Sequence, residues 1–298
     1  MAAEYIPTVP VLNKTKALLV RNEDDHTLVT DQINPEFVAL LKADVKYTVG
    51  VKTDGSCGAI IKINGIATLC KRQDITEQSR NYSRVSDPEN GLLKVIAGKP
   101  CYITSMIRGT SKHERIEPLY IFQLTKEGKP ELEGNHLIGF TPVLTNFAED
   151  KYMATSFEEN PEDPSNPYIF ATHFDGTLNI RVAKTTMADI LYNEEIKTVE
   201  IMCKKISNKY GYETDMCFVN PHGSIVIPDD QVPDFTYNGI KTWFETAEAT
   251  YNRWADQEGF VIHFPTENIR FKIHRGHIGL NNTWKSADKK ACGIKFIF

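Results

Sequence analysis

Lys52 ends the run Thr48-Val49-Gly50-Val51-Lys52, whose β-branched residues favour an extended strand. Two residues later the turn-forming pair Asp54-Gly55 breaks that strand. A strand that stops there would hold one primary amine at the mouth of a pocket. A glycine at position 55 would let backbone approach a ligand closely. An amine attacks an electrophile only when neutral, and the ordinary lysine pKa is about 10.4. Burial beside other cations lowers it. The chemistry implied is a covalent lysyl intermediate, formed by a Lys52 with a depressed pKa. K-x-D-G also arises by chance in roughly one chain in fifteen of this length. A solvated strand-end lysine beside an ordinary turn is the competing account, so the rest of the chain has to decide.

Residues 258–264, E-G-F-V-I-H-F, form a predicted strand, 265–268 a turn, and 269–275 the return strand. Arg270, Lys272 and His274 alternate with Ile269, Phe271 and Ile273, which puts three basic side chains on one face. Glu200 lies in the apolar run Val199–Met202, where it faces either solvent or a ligand. A cationic face beside a carboxylate-bearing strand suits a metal–polyphosphate ligand. His222, in the rigid turn Asn220-Pro221-His222-Gly223, makes no site by itself. His274 and His277 lack further ligands at zinc spacing.

The elements that must position these groups follow from local signals. Asn34-Pro35 starts a predicted helix to about Ala43 that buries Phe37, Leu40 and Leu41. A strand is expected at Ala17–Val20. Asn64-Gly65 between two β-rich runs is a strong hairpin signal. That hairpin exits at Lys71-Arg72, a basic pair that either reaches back toward Lys52 or ends the strand in solvent. In 75–117, Arg80, Arg84, Arg108, Lys112 and Arg115 form a candidate surface for a phosphate backbone, or scattered surface charge. Strands are expected at 119–124, 136–143, 168–172 and 178–182, and a proline-containing surface loop at 147–167. Thr186 and Asp189 suit a capping box for a helix over 187–192. Ile240, Trp243, Phe244, Ala247, Tyr251 and Trp254 recur at helical spacing, which predicts an amphipathic core helix over about 237–256.

Composition sets the outer bounds. The chain has 298 residues and a formal net charge of −5, so a nucleic-acid partner would need a local basic patch. The six cysteines show no C-x-x-C pair and are expected as reduced, mostly buried thiols of an intracellular, cytoplasmic or nuclear protein. Neither a signal peptide nor a membrane span is expected.

The ordered set Lys52-Thr53-Asp54-Gly55, Arg72, Glu200, Glu258-Gly259-Phe260-Val261 and Lys272-Ile273-His274 resembles the motifs of the lysine-dependent nucleotidyltransferases, the polynucleotide ligases and mRNA capping enzymes. Within them, 199–201, 221–223, 258–261 and 272–280 are similar to runs of the ATP-dependent 5′-to-3′ RNA ligases of vertebrates and relatives. The resemblance is continuous over about 170–284 and recurs at 47–74. It implies an α+β nucleotidyltransferase fold, the ATP-grasp-like ligase adenylation fold, with antiparallel sheets flanked by helices. One domain would span 1–298, with a peripheral insertion at about 75–165. The tail after Arg275 is too short for the C-terminal OB domain of DNA ligases and capping enzymes.

By resemblance, Lys52 attacks the α-phosphorus of ATP, and the lysyl-AMP passes its adenylate to an RNA 5′-phosphate. A 3′-hydroxyl then expels AMP. The resemblance assigns Lys272, with His274 or Arg275, to the α-phosphate and Glu200 to the ribose. Arg72 would bind the sugar or the RNA end, and Asp54 would orient metal-bound water or the lysine. Glu258, with Glu200, would bind Mg²⁺ or Mn²⁺, while Val51, Gly55, Phe260 and Val261 would line the nucleotide. Two departures stand out. Val51 replaces an acidic residue that commonly precedes the lysine in this branch. His274 replaces a second lysine, which would make adenylation more sensitive to pH. A monomer acting on RNA 5′-phosphate and 3′-hydroxyl ends is expected. The alternatives are a GTP-dependent capping-type guanylyltransferase and a silent RNA-end-binding module.

Overall fold

The computed structural model describes residues 10–298 apart from 13, 26, 77–83, 86–90, 110–111, 133–135, 207–214, 246–253, 255–256 and 281–294. Among these, strands β1 (Lys16–Ala17), β2 (Leu19–Arg21) and β3 (Val29–Ile33) lead to helix α1 (Pro35–Lys42). Next come β4 (Thr48–Lys52), β5 (Ser56–Ile63) and β6 (Ile66–Thr76), then β7 (Leu92–Ile96), β8 (Lys99–Arg108), β9 (Arg115–Ile121) and β10 (His136–Pro142). Two 3₁₀ turns and β11 (Phe157–Glu158) precede β12 (Tyr168–His173), β13 (Asn179–Thr186) and helix α2 (Met187–Leu191). β14 (Ile196–Met202), β15 (Phe218–Pro221) and helix α3 (Tyr237–Glu245) follow. β16 (Gly259–Phe264), β17 (Ile269–His274) and β18 (Lys295–Ile297) close the chain. The architecture is α+β and strand-rich, with few helices. None of the described helices is long and apolar enough to cross a membrane.

Two sheets matter for function. The small sheet has the order β1-β17-β16-β4. The large one runs β18-β13-β12-β15-β14-β5-β6-β10-β9-β8-β7, with β11 beside β12. Pairing is mostly antiparallel, but β1 with β17, β12 with β15 and β13 with β18 are parallel, which the sequence gives no sign of. Strands β7–β10 extend the large sheet through β6, so the 75–165 stretch is hydrogen-bonded into the same sheet as the β5–β6 hairpin.

Local signals place several elements. Asn34 caps α1 by accepting from the Glu36 N–H at 3.0 Å, with Pro35 in the first turn. Its Phe37 ring packs edge-on against Phe235, Phe264 and Phe271. Leu40 only borders that core, and Leu41 is 37% exposed, so the helix buries one phenylalanine rather than three apolar side chains. Asn64 and Gly65 both have positive φ, as a tight hairpin turn requires, and Ile63 pairs with Ile66. The Thr186–Asp189 capping box forms in full. The chain turns at Leu18, splitting the expected strand into β1 and β2. Helix α3 presents Ile240, Trp243 and Phe244 to the core, while most of the expected continuation to 256 lies outside the described residues.

One face of the small sheet carries Val49, Phe260, Ile262, Phe264, Phe271 and Ile273 against α1 and α3. On the large sheet, Ile60, Leu69, Val199 and Ile201 pack against Met187 and Leu191 of α2. Because strand side chains alternate, Glu200 and Arg72 take the opposite face. The same alternation sends Lys71 away from Arg72: Lys71 meets Asp150 at 2.8 Å.

Asp150 is fully buried and also receives Arg108 at 2.6 Å, while the Leu144 N–H donates to it at 2.9 Å. Burial alone would raise the Asp150 pKa, but hydrogen bonds from Arg108 and Lys71 outweigh that and hold it below the ordinary range. Arg108 is therefore an internal strut that cannot reach an RNA backbone. The 147–167 stretch is not the plain surface loop expected: it carries a buried carboxylate that ties 3₁₀ turns to the sheet. Asp150→Ala leaves Arg108 and Lys71 with only the longer, half-exposed ion-pair contacts to Glu149 at 3.6 and 3.7 Å and should cost roughly 3 kcal/mol. Urea unfolding checks this; a loss below about 1 kcal/mol, the surface-pair range, would refute it.

Candidate active site

The chain crosses between the two sheets at Lys52. β4 ends there in the small sheet, residues 53–55 make the passage, and β5 begins in the large sheet. A second strap returns from β15: the Val51 N–H donates to the Ile225 carbonyl and the Ile227 N–H to the Val49 carbonyl. Gly55 is needed at this crossing because a Cβ there would meet the Ile201 carbonyl oxygen at 2.4 Å. The glycine serves close packing of the passage on β14, not only the ligand approach inferred from sequence.

Between the sheets lies a cleft of about 250 Å³. The small sheet contributes Gly50, Lys52, Val261 and Lys272, with His263 and Arg270 farther along. Register explains the set: Gly50 lies opposite Val261 and Val261 opposite Lys272, while His263 pairs with both Thr48 and Arg270. The large sheet contributes Cys57, Arg72, Glu200 and Asn220, and the turn after β15 adds His222. Val51 and Gly55 also line the cleft.

Lys52 Nζ lies 2.5 Å from Glu258 Oε2, and both side chains are largely buried. Burial alone would lower the Lys52 pKa, but Glu258, Glu200 and Asp54 outweigh it and hold the amine above its ordinary value. This corrects the expectation of a depressed pKa: in the free protein Lys52 is a protonated, paired lysine. Burial raises the Glu258 pKa, with Lys52 only partly offsetting it. The proton therefore sits between a carboxylate made more basic by burial and an amine held in contact with it.

Glu200 Oε2 meets His222 Nε2 at 3.2 Å. Asn220 accepts from Thr172 and Ser224 and donates to Thr53, the neighbour of Lys52, at 3.4 Å, so the backbone next to Lys52 is braced from β15. Arg72 reaches back to line the cleft with Cys57, whose thiol pKa burial pushes up to about 12. Cys57 is thus a neutral wall of the site. The five described cysteines are free thiols, four of them buried.

Three sequence-assigned residues fall elsewhere. Phe260 is fully buried against Trp243 and Phe244, on the face of β16 turned from the cleft. Arg275 is 2% exposed, donates to the Gln257 carbonyl at 3.0 Å and lies over the Phe244 ring, bracing the segment that carries Glu258. The His274 ring lies against His277 with centroids 3.5 Å apart and planes tilted by 39°. Burial, with His277, Lys52 and Lys272 nearby, drives the His274 pKa down to about 2. In the free protein His274 is therefore neutral rather than cationic. Lys272 is different: burial, helped by Lys52, Arg21 and Arg72, lowers it to about 8.

The residues fit a polyphosphate-bearing ligand. Four cations (Lys52, Arg72, Arg270 and Lys272) converge on one cleft. The buried His263 Nε2 and His222 Nδ1 have no hydrogen-bond partner among the described residues. No three metal-ligating side chains gather among the described residues. A divalent ion would therefore bind through one or two of Glu258, Glu200 and Asp54, completed by phosphate and water oxygens, as Mg²⁺ commonly does. Not assigned to the site from sequence were His222, Asn220 and His263, whereas Arg270 was read only as part of a cationic face. The alternation in 269–274 already placed Arg270 beside Lys272, whereas the others needed strand register.

No family model matches the chain, and no curated protein matches it.

Because Lys272 loses its proton near pH 8, affinity for a non-hydrolysable ATP analogue should fall as pH rises from about 8 to 9.5, by up to about tenfold per unit. Lys272→Arg, whose guanidinium stays charged, should flatten the profile. Titration calorimetry checks both, and a flat wild-type profile would rule out Lys272 as the phosphate-holding group.

Proposed function

We propose that the chain is an ATP-dependent RNA ligase of the lysine-dependent nucleotidyltransferase type, joining RNA 5′-phosphate and 3′-hydroxyl ends. The observation that carries this reading is the Lys52 amine in contact with Glu258, inside a cleft walled by Lys272, Arg270 and Arg72. A structural lysine needs one partner. Three further cations around it suit a multiply charged anion.

In the first step Lys52 Nζ forms a bond to the α-phosphorus of ATP while the bond to pyrophosphate breaks. Before attack the ammonium gives one proton to Glu258, 2.5 Å away, and the second, lost as the P–N bond forms, leaves with pyrophosphate. Lys272, Arg270 and Arg72 neutralise the charge that builds on the phosphoryl oxygens, which is where phosphoryl transfer needs most help. Glu200, oriented by His222, accepts from the ribose hydroxyls. A divalent ion, when bound, would add charge neutralisation beside Glu258. The AMP then moves from Lys52 to the RNA 5′-phosphate, and a 3′-hydroxyl displaces it. The two-sheet cleft with its lysine at the crossing is the support for assigning the nucleotidyltransferase fold. Val51 offers only backbone groups to a base, so the choice of adenine rests on those.

The steps can be separated. Lys52→Ala should abolish ATP-dependent joining of 5′-phosphorylated RNA, by at least about a thousandfold as for loss of a covalent nucleophile. It should still join pre-adenylated RNA without ATP. Gel assay of both substrates checks this, and ATP-dependent joining by Lys52→Ala would remove Lys52 as nucleophile.

A further inference from the structure

Beside the cleft runs a second, larger groove of about 820 Å³. Its walls carry five cations, Lys14, Lys16, Lys99, Lys126 and Arg270, against one carboxylate, Glu127. This concentration is local, since the whole chain carries a net charge of −5. Lys16 is tied to Glu36 at 2.5 Å. Lys99 and Lys126, by contrast, form no ion pair among the described residues.

The groove is continuous with the cleft. Val11, Thr15 and Arg270 line both. They lie at a sill held in place by the Val11 N–H donating to Thr198 Oγ1 at 2.9 Å and by Arg270 reaching the Pro10 carbonyl at 3.5 Å. Apolar side chains sit among the lysines: Phe122 and Leu124 from the segment after β9, and Leu93, 55% exposed on β7. Cations interleaved with apolar and aromatic surface match a chain with charged backbone and flat, stackable bases. An acidic peptide would use the cations and leave that apolar surface wet.

We infer that this groove holds the single-stranded RNA next to the end being joined, with Lys14, Lys99 and Lys126 on its phosphates and Leu93 and Phe122 under its bases. The inference rests on the ligase reading and specifies where that substrate lies. Of the basic surface expected from residues 75–117, Arg108 is buried and Arg80 lies outside the described residues, while Arg84, Lys112 and Arg115 do not line the groove.

The test uses the full chain and the triple variant Lys14→Ala/Lys99→Ala/Lys126→Ala, with equal thermal unfolding as the check on folding. Fluorescence anisotropy reads binding of a 5′-phosphorylated single-stranded RNA of about twelve nucleotides, within the usual range of such sites, across a salt series. Intact mass after ATP reads adenylation, which needs no RNA. The variant should keep wild-type adenylation and bind RNA about tenfold or more weakly at low salt. Its slope of log affinity against log salt should fall by about 2, at roughly 0.7 per phosphate contact. Unchanged affinity and slope would overturn the groove assignment, as would a polyglutamate peptide of equal charge binding as tightly as the RNA. A wild-type protein that gains no nucleotide but loses RNA binding in the variant would overturn the ligase reading while keeping the groove.

Discussion

Two sheets, also tied by the strap after β15, are stitched together where Lys52 leaves one and the chain enters the other. At that point a lysine and a glutamate separated by 206 residues meet at 2.5 Å. Bringing two charges out of water is costly unless each satisfies the other. The contact is therefore both a joint and a constraint: β4 and the segment before β16 must arrive together. Gly259 opposite Lys52 shows how tight this is, since a Cβ there would come within 2.0 Å of the Ile273 carbonyl oxygen. The cleft is what remains between the sheets once that joint closes.

Charge in the cleft is arranged by burial as much as by pairing. Lys52 keeps its proton because three carboxylates face it, whereas Lys272, two strands over, is weakened by burial and by the cations around it. A multiply charged anion entering the cleft would relieve the repulsion that Lys272 feels. His274 and His263 are pushed to about 2 and about 4, so they stay neutral and contribute polarity without charge. In the free protein the titration in the alkaline range is thus that of Lys272, while the histidine that the sequence draws attention to is already neutral.

How much was legible in the sequence depended on how far apart the partners lie. The Asn34 cap, the Asn64-Gly65 turn, the Thr186 capping box and the alternation through Arg270, Lys272 and His274 are all written within a few residues, and all appear in the structure. Lys71 and Arg72 look equivalent as a dipeptide, yet strand alternation sends one to buried Asp150 and the other to the cleft. The Glu200–His222 and Arg108–Asp150 contacts depend on register between strands, which no short window contains. Phe260 and Val261 sit side by side in one motif, but adjacent strand residues face opposite ways, so only Val261 reaches the cleft.

The central claim is that Lys52 is a nucleophile toward a nucleotide, held by Glu258 until that nucleotide arrives. Intact mass of the purified chain, incubated with Mg²⁺ and either ATP or GTP, tests it with no RNA present, with Glu258→Gln measured alongside. The account predicts an AMP-sized gain from ATP, mapped by peptide fragmentation to Lys52 and strongly slowed in Glu258→Gln. A folded, nucleotide-free protein that gains no mass from either nucleotide, or that carries the adduct on another residue, would contradict it.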